Sequence, residues 1–106
     1  MTSTPATMTA ITIAGKGGPE VLVPASLPVP VPGPGQLLVK VDHAGVNRPD
    51  VLQRKGLYPP PQGVTAIPGL DVAGVVEEVA PDVTWPRVGD AVCALVSGGG
   101  YAEFCP

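Results

Sequence analysis

Asn47, Asp50, Tyr58 and Asp71 are the side chains of this 106-residue sequence whose types and spacing could do chemistry. Three lie in AGVNRPDVLQRKGLYPPP (residues 44–61), and the fourth lies in PGLDVAGVV (residues 68–76). An asparagine offers two donors and an acceptor without charge. Tyr58, between Leu57 and a run of prolines, carries a flat ring with a hydroxyl tip. Together they could hydrogen-bond to and stack on a flat ligand with polar edges.

Each of these residues also has a purely architectural reading. Asn47 is a good helix N-cap, and Asp50, three residues on, can reach back to the cap amide. Such a cap contributes ~1 kcal/mol, so capping alone accounts for Asn47. Asp50 and Arg54 stand i,i+4 apart and are expected to pair on the solvent side. Asp71 interrupts an apolar run, and a half-buried carboxylate needs a partner. Arg48 or Arg54 would make that a structural ion pair, favoured here over catalysis. Carboxylate pairing is weaker still: Asp50 is taken up as a helix cap rather than paired with Asp71, and Glu77 and Glu78, adjacent on a strand, face opposite sides.

Other chemistries lack their residues. His43, Cys93 and Cys105 are the only soft ligands, and they do not have the short paired spacings of a zinc site. The two thiols read as buried or edge cysteines of a reducing compartment. No serine sits in a nucleophile elbow, and one histidine does not make a triad. The glycine clusters at residues 15–18 and 98–100 read as turns, because neither links a strand to a long helix. Nine acidic and six basic side chains give a net charge of −3 with no basic run, against a nucleic-acid partner. No apolar stretch reaches the ~18 residues that span a bilayer, and no secretory signal is visible. These features together read as a cytoplasmic chain.

The elements that must position the candidates are short. Fifteen prolines and fourteen glycines favour brief strands and tight turns. Residues 1–7 read as a flexible leader and residues 8–106 as one domain. Strands are expected at residues 8–14, 21–27, 36–46, 70–79, 89–96 and 101–104, from alternation and β-branched content. The proline run at residues 28–35 cannot join a central ladder, having few N–H groups to donate. A short helix follows Asn47, with Pro49 in its first turn and Gly56 at its end. The expected fold is mainly β, a partly open barrel with one or two short helices.

Read together, GPEVL, PGPGQLLVKV, AGVNRPDVLQRKGLYPPP, PGLDVAGVV, VGDAV and GGGYAEF resemble the N-terminal, GroES-like catalytic domain of zinc-independent quinone oxidoreductases. These belong to the medium-chain dehydrogenase/reductase superfamily. The likeness runs from Met8 to Phe104 and is strongest to the branch that includes the tumour-suppressor-inducible quinone oxidoreductase. It implies hydride transfer from NADPH to a quinone or another electron-poor carbonyl such as an enone. It also implies a homodimer in the longer protein. Asn47, Leu52 and Tyr58 then fall on substrate-side positions, with Asn47 and Tyr58 also near the cofactor. Zinc-dependent relatives carry a cysteine ligand at the position of Asn47, a histidine ligand at that of Leu70 and a Ser or Thr relay at that of Pro49. Asp71 replaces the family's usual Glu. The family places a nucleotide-binding domain after this point, so the chain is expected to be one piece of such an enzyme. A non-catalytic GroES-like binding or assembly module is the alternative.

Overall fold

The computed structural model describes residues 4–60 and 62–106. Strand β1 (Thr7–Ile13) and strand β2 (Leu22–Pro28) pair antiparallel, joined through a single 3-10 turn at Pro19–Val21. Pro24 lies inside β2 opposite Ile11, which is tolerated because β2 is an edge strand whose outer side needs no donor. A second sheet contains β3 (Leu37–Ala44), β4 (Asp71–Val79), β5 (Ala91–Leu95) and β6 (Phe104–Cys105) in the order β5-β4-β3-β6.

The segment leading into β6 joins the two sheets. Ala10 bridges Ala102. The Ile11 N–H donates to the Tyr101 carbonyl at 2.7 Å, and the Glu103 N–H donates to the Thr9 carbonyl at 3.1 Å. On its other side, the Val41 N–H donates to the Glu103 carbonyl at 2.8 Å. The strands therefore run β2-β1-β6-β3-β4-β5 around a curved wall, with β2 and β5 left at its two ends. This is the partly open, mainly β, GroES-like barrel expected from the sequence, with one α-helix among the described residues, α1 (Arg48–Arg54).

Strand β3 is the structural centre because it pairs with β4 on one side and β6 on the other and buries Leu38 and Val39 on opposite faces. Leu38 packs with Met8, Ala10 and Phe104, while the next residue, Val39, packs with Val72 and Cys105 on the opposite side. Beyond this buried pair the strand divides into a drier face, with Leu37 and Val41 packed beside Val39, and a wet one, with Lys40 and Asp42 exposed. Both cores close on β6, which supplies Phe104 to one and Cys105 to the other.

Of the leader read at residues 1–7, residues 1–3 lie outside the described residues. Thr4 donates its hydroxyl to Glu78 Oε1 at 2.6 Å, the Ala6 carbonyl accepts the Val29 N–H at 3.1 Å, and Thr7 already opens β1. Strand β6 begins at Phe104 rather than Tyr101, because the main chain of Tyr101 is shared between the Pro68 carbonyl and the Ile11 N–H and Ala102 makes only an isolated bridge to Ala10.

Candidate functional site: an asparagine held between two carboxylates

Strand β3 ends at Ala44, and Gly45 and Val46 carry the chain to Asn47, whose extended backbone (φ −128°, ψ 162°) begins α1. Asn47 and Asp50 are arranged as a capping box. Its well-formed half is the Asn47 N–H donating to Asp50 Oδ2 at 3.0 Å. The Asp50 N–H goes directly to the Asn47 main-chain carbonyl at 3.1 Å, with the side-chain oxygen at the same end of the helix. Pro49, at the second helical position, gives up an N–H that no helix residue would have used.

Asp50 is buried, with 5% of its surface exposed. Besides the cap amide, it accepts the Gly69 N–H on Oδ1 at 3.2 Å and the Tyr101 hydroxyl on Oδ2 at 2.8 Å. The expected pair with Arg54 does not form. Arg54 Nε instead donates to the Gly17 carbonyl at 3.1 Å, tying α1 to the turn after β1. A carboxylate given three donors in a dry site needs no counter-cation. The Tyr101 phenol is pushed well above its ordinary range, first by burial, then by donating to Asp50 and by the charges of Asp50 and Asp71. It stays protonated and acts as a donor.

The second expected ion pair is also absent. Asp71, the first residue of β4, meets neither Arg48 nor Arg54. Its Oδ1 accepts the Gly45 N–H at 2.8 Å, and its Oδ2 accepts Asn47 Nδ2 at 2.9 Å. A Cβ at Gly45 would overlap this carboxylate, so the turn before α1 lies directly against Asp71 because residue 45 has no side chain. Asn47 is thus held at its main chain by Asp50 and at its side chain by Asp71.

Tyr58 lies elsewhere. It is 43% exposed and helps wall a hollow of about 470 Å³ with Ile13, Leu27, Gln53, Pro60 and Ile67. Asn47 is not part of that wall. Gln53 Nε2 donates to the Ala66 carbonyl at 3.0 Å and fixes the loop that forms the far side. Leu52 is half-buried in α1, and its carbonyl accepts the Leu57 N–H at 2.8 Å. The structure therefore brings Asn47, Asp50 and Asp71 together and sets Tyr58 on a separate, largely apolar surface. Tyr101, which the sequence did not single out, joins the asparagine cluster from a turn 51 positions beyond Asp50.

Of the soft side chains, His43 and Cys93 line one shallow hollow with Asp71, and Cys105 lies apart from it. His43 is exposed beside Asp42 at 3.4 Å, Cys93 is exposed on β5, and Cys105 is buried, its thiol pushed up by desolvation. Among the described residues no three His, Cys, Asp or Glu side chains are grouped to hold a metal ion. No helix among them is long and apolar enough to cross a membrane.

Residues 33–106 match the family model of the alcohol dehydrogenase GroES-like domain. The chain belongs to that family. It is 42% identical to the quinone oxidoreductase of Mus musculus over 99 residues that cover 92% of this chain. Among solved structures, human synaptic vesicle membrane protein VAT-1 homolog-like protein superposes with a TM-score of 0.85 at 31% identity, over 93% of this chain and 32% of that one. A mycobacterial protein complexed with NADPH gives 0.79 at 42% identity, over 92% and 30% of the two chains. This GroES-like chain spans about 30% of the length of the mouse relative. The resemblance carried by AGVNRPDVLQRKGLYPPP and its companion motifs therefore holds at the level of family and fold.

Proposed function

We propose that this chain is the substrate-side domain of an NADPH-dependent quinone oxidoreductase that works without zinc. The observation that carries the reading is the Asn47 Nδ2 bond to Asp71 at 2.9 Å. At the position where zinc-dependent relatives present a thiolate, a neutral amide is already committed to a carboxylate. Leu70 and Pro49 remove the histidine ligand and the hydroxyl relay of those relatives. An amide and an alkyl side chain are poor zinc ligands beside thiolate and imidazole.

Without a Lewis acid to polarise an ordinary ketone, the favoured acceptors are those that take up hydride readily. A quinone qualifies, because two electrons and two protons convert it to an aromatic hydroquinone. NADPH, when bound, supplies the hydride. The chain's own part is to bind and orient: Tyr58 offers a ring face for stacking on the hollow it walls, Leu52 an apolar side chain from α1, and Asn47, on its separate surface, an uncharged hydrogen-bonding group for a substrate or nicotinamide edge. The similarity to quinone oxidoreductases and to a protein complexed with NADPH agrees with this assignment. A cytoplasmic setting and a homodimer of the longer enzyme complete the proposal.

The test is a chimera in which this chain replaces the matching segment of the mouse relative. NADPH oxidation is expected with quinones and enones, and not with simple ketones. Tyr58→Ala is expected to lower quinone kcat/KM about tenfold, the scale of one lost stacking contact, with unchanged thermal stability. Unaltered kinetics across several quinones would remove Tyr58 from the site, and preferred turnover of simple ketones would sink the proposal.

A further inference from the structure

Asn47 is the only side chain in the cluster whose hydrogen-bonding sense could be reversed by a half-turn, since its amide oxygen and nitrogen have nearly the same shape. Its surroundings remove that freedom. An ionised carboxylate only accepts hydrogen bonds, so the group facing Asp71 Oδ2 at 2.9 Å is the amide nitrogen. The other Asp71 oxygen is occupied by the Gly45 N–H at 2.8 Å, which holds the carboxylate in place. The amide oxygen is left at the helix end, beside the donor-rich first turn of α1. One Nδ2 hydrogen is used by Asp71, and the second has no acceptor among the described residues.

We infer that Asp71 is a positioning residue that fixes the sense of the Asn47 amide, so that the group Asn47 shows to a ligand is an N–H donor suited to a carbonyl oxygen. This rests on the quinone reductase reading of Asn47. A quinone presents only acceptor oxygens, and negative charge builds on them as hydride arrives. A fixed, neutral donor aimed at that oxygen stabilises the transition state more than the ground state.

Asp71→Asn separates this role from packing because it preserves shape. A carboxamide at residue 71 has a single acceptor oxygen. If the rigid Gly45 N–H keeps it, residue 71 turns an NH2 group toward Asn47, and Asn47 must flip to answer with its oxygen. Asp71→Glu retains two acceptors. Gly45→Ala displaces the carboxylate without changing its charge, since the added Cβ would overlap it.

The closing experiment has two readouts. In the isotope-labelled chain, the Asn47 side-chain amide protons are expected to include one strongly downfield-shifted resonance. Asp71→Asn and Gly45→Ala should abolish it and Asp71→Glu should keep it. In the chimera, Asp71→Asn should lower quinone kcat about tenfold, with KM within about twofold, and Asp71→Glu should recover most of the loss. Asn47 resonances unmoved by Asp71→Asn would overturn the positioning role. An equal loss of kcat in Asp71→Asn and Asp71→Glu, with the resonance retained in the latter, would also overturn it. A wild-type chimera that reduces no quinone, with the resonance behaving as expected, would count against the reductase reading alone and leave the orientation of Asn47 established.

Discussion

Asp50 is the side chain on which most local order converges. Replacing this buried residue with alanine leaves the Asn47 and Gly69 N–H groups and the Tyr101 hydroxyl without their acceptor. Bonds to a charged acceptor contribute about 1.5–3 kcal/mol each and unmet donors add their own penalty, so Asp50→Ala should destabilise the fold by at least about 3 kcal/mol in urea titration. Tyr101→Phe should cost about 1–2 kcal/mol, since it removes one neutral donor. Its pH dependence has a definite sign. The phenol's affinity for its proton is raised in the folded state, so its contribution is full below the ordinary tyrosine pKa of about 10 and is lost as pH rises beyond it. The stability gap between wild type and Tyr101→Phe should stay constant from neutral pH to about 9 and narrow above 10. A gap that widened there would mean that the phenol is not the donor. At this scale the sequence was half legible. The N-cap at Asn47 with Asp50 three residues on is local grammar and could be read directly. The burial of Asp50 could not, because its deciding partner is Tyr101, which only the folded chain brings near. The i,i+4 spacing of Asp50 and Arg54 pointed to a surface pair, but the three donors around Asp50 leave it no need of a cation.

Among the elements, the turn at Pro68–Leu70 is the most exacting. Gly69 has φ +107°, and a Cβ there would meet Gly100 Cα and Tyr101 N at 2.7 Å. Gly69→Ala should therefore cost about 2–3 kcal/mol through backbone strain alone, and more if the Gly98–Tyr101 turn is pushed away. Loss of the Asp50–Gly69 bond should accompany it, visible as faster exchange of the Gly69-position amide. The two cysteines separate edge from core. Cys93 sits on the end strand β5 and Cys105 in the inner core beside Val39. A thiol reagent should modify Cys93 promptly in the native chain and Cys105 only on unfolding. Simultaneous modification of both would contradict the packing of β6. Strands β3 and β4 were legible because they are long and regularly patterned. Strand β6 starts three residues later than YAEF suggests, since Tyr101, Ala102 and Glu103 make single main-chain links to β1 instead of a continuous ladder.

For the whole molecule, the order β2-β1-β6-β3-β4-β5 leaves β2 and β5 each with one neighbour among the described residues, and Leu95 on β5 remains 89% exposed. The barrel, its family and its likeness to quinone oxidoreductases were readable from ordered motifs, each of which marks a turn or a strand end. The grouping of Asn47 with two carboxylates was not, because it depends on how β3, α1 and β4 meet. The central claim, that a carboxamide replaces a metal-binding thiolate and leaves zinc-free hydride transfer, is tested most directly by metal analysis of the chimera after purification with zinc present, alongside quinone turnover before and after chelation. No stoichiometric zinc and full activity after chelation are expected. One zinc per chain, with activity that falls on chelation and returns with zinc, would contradict it.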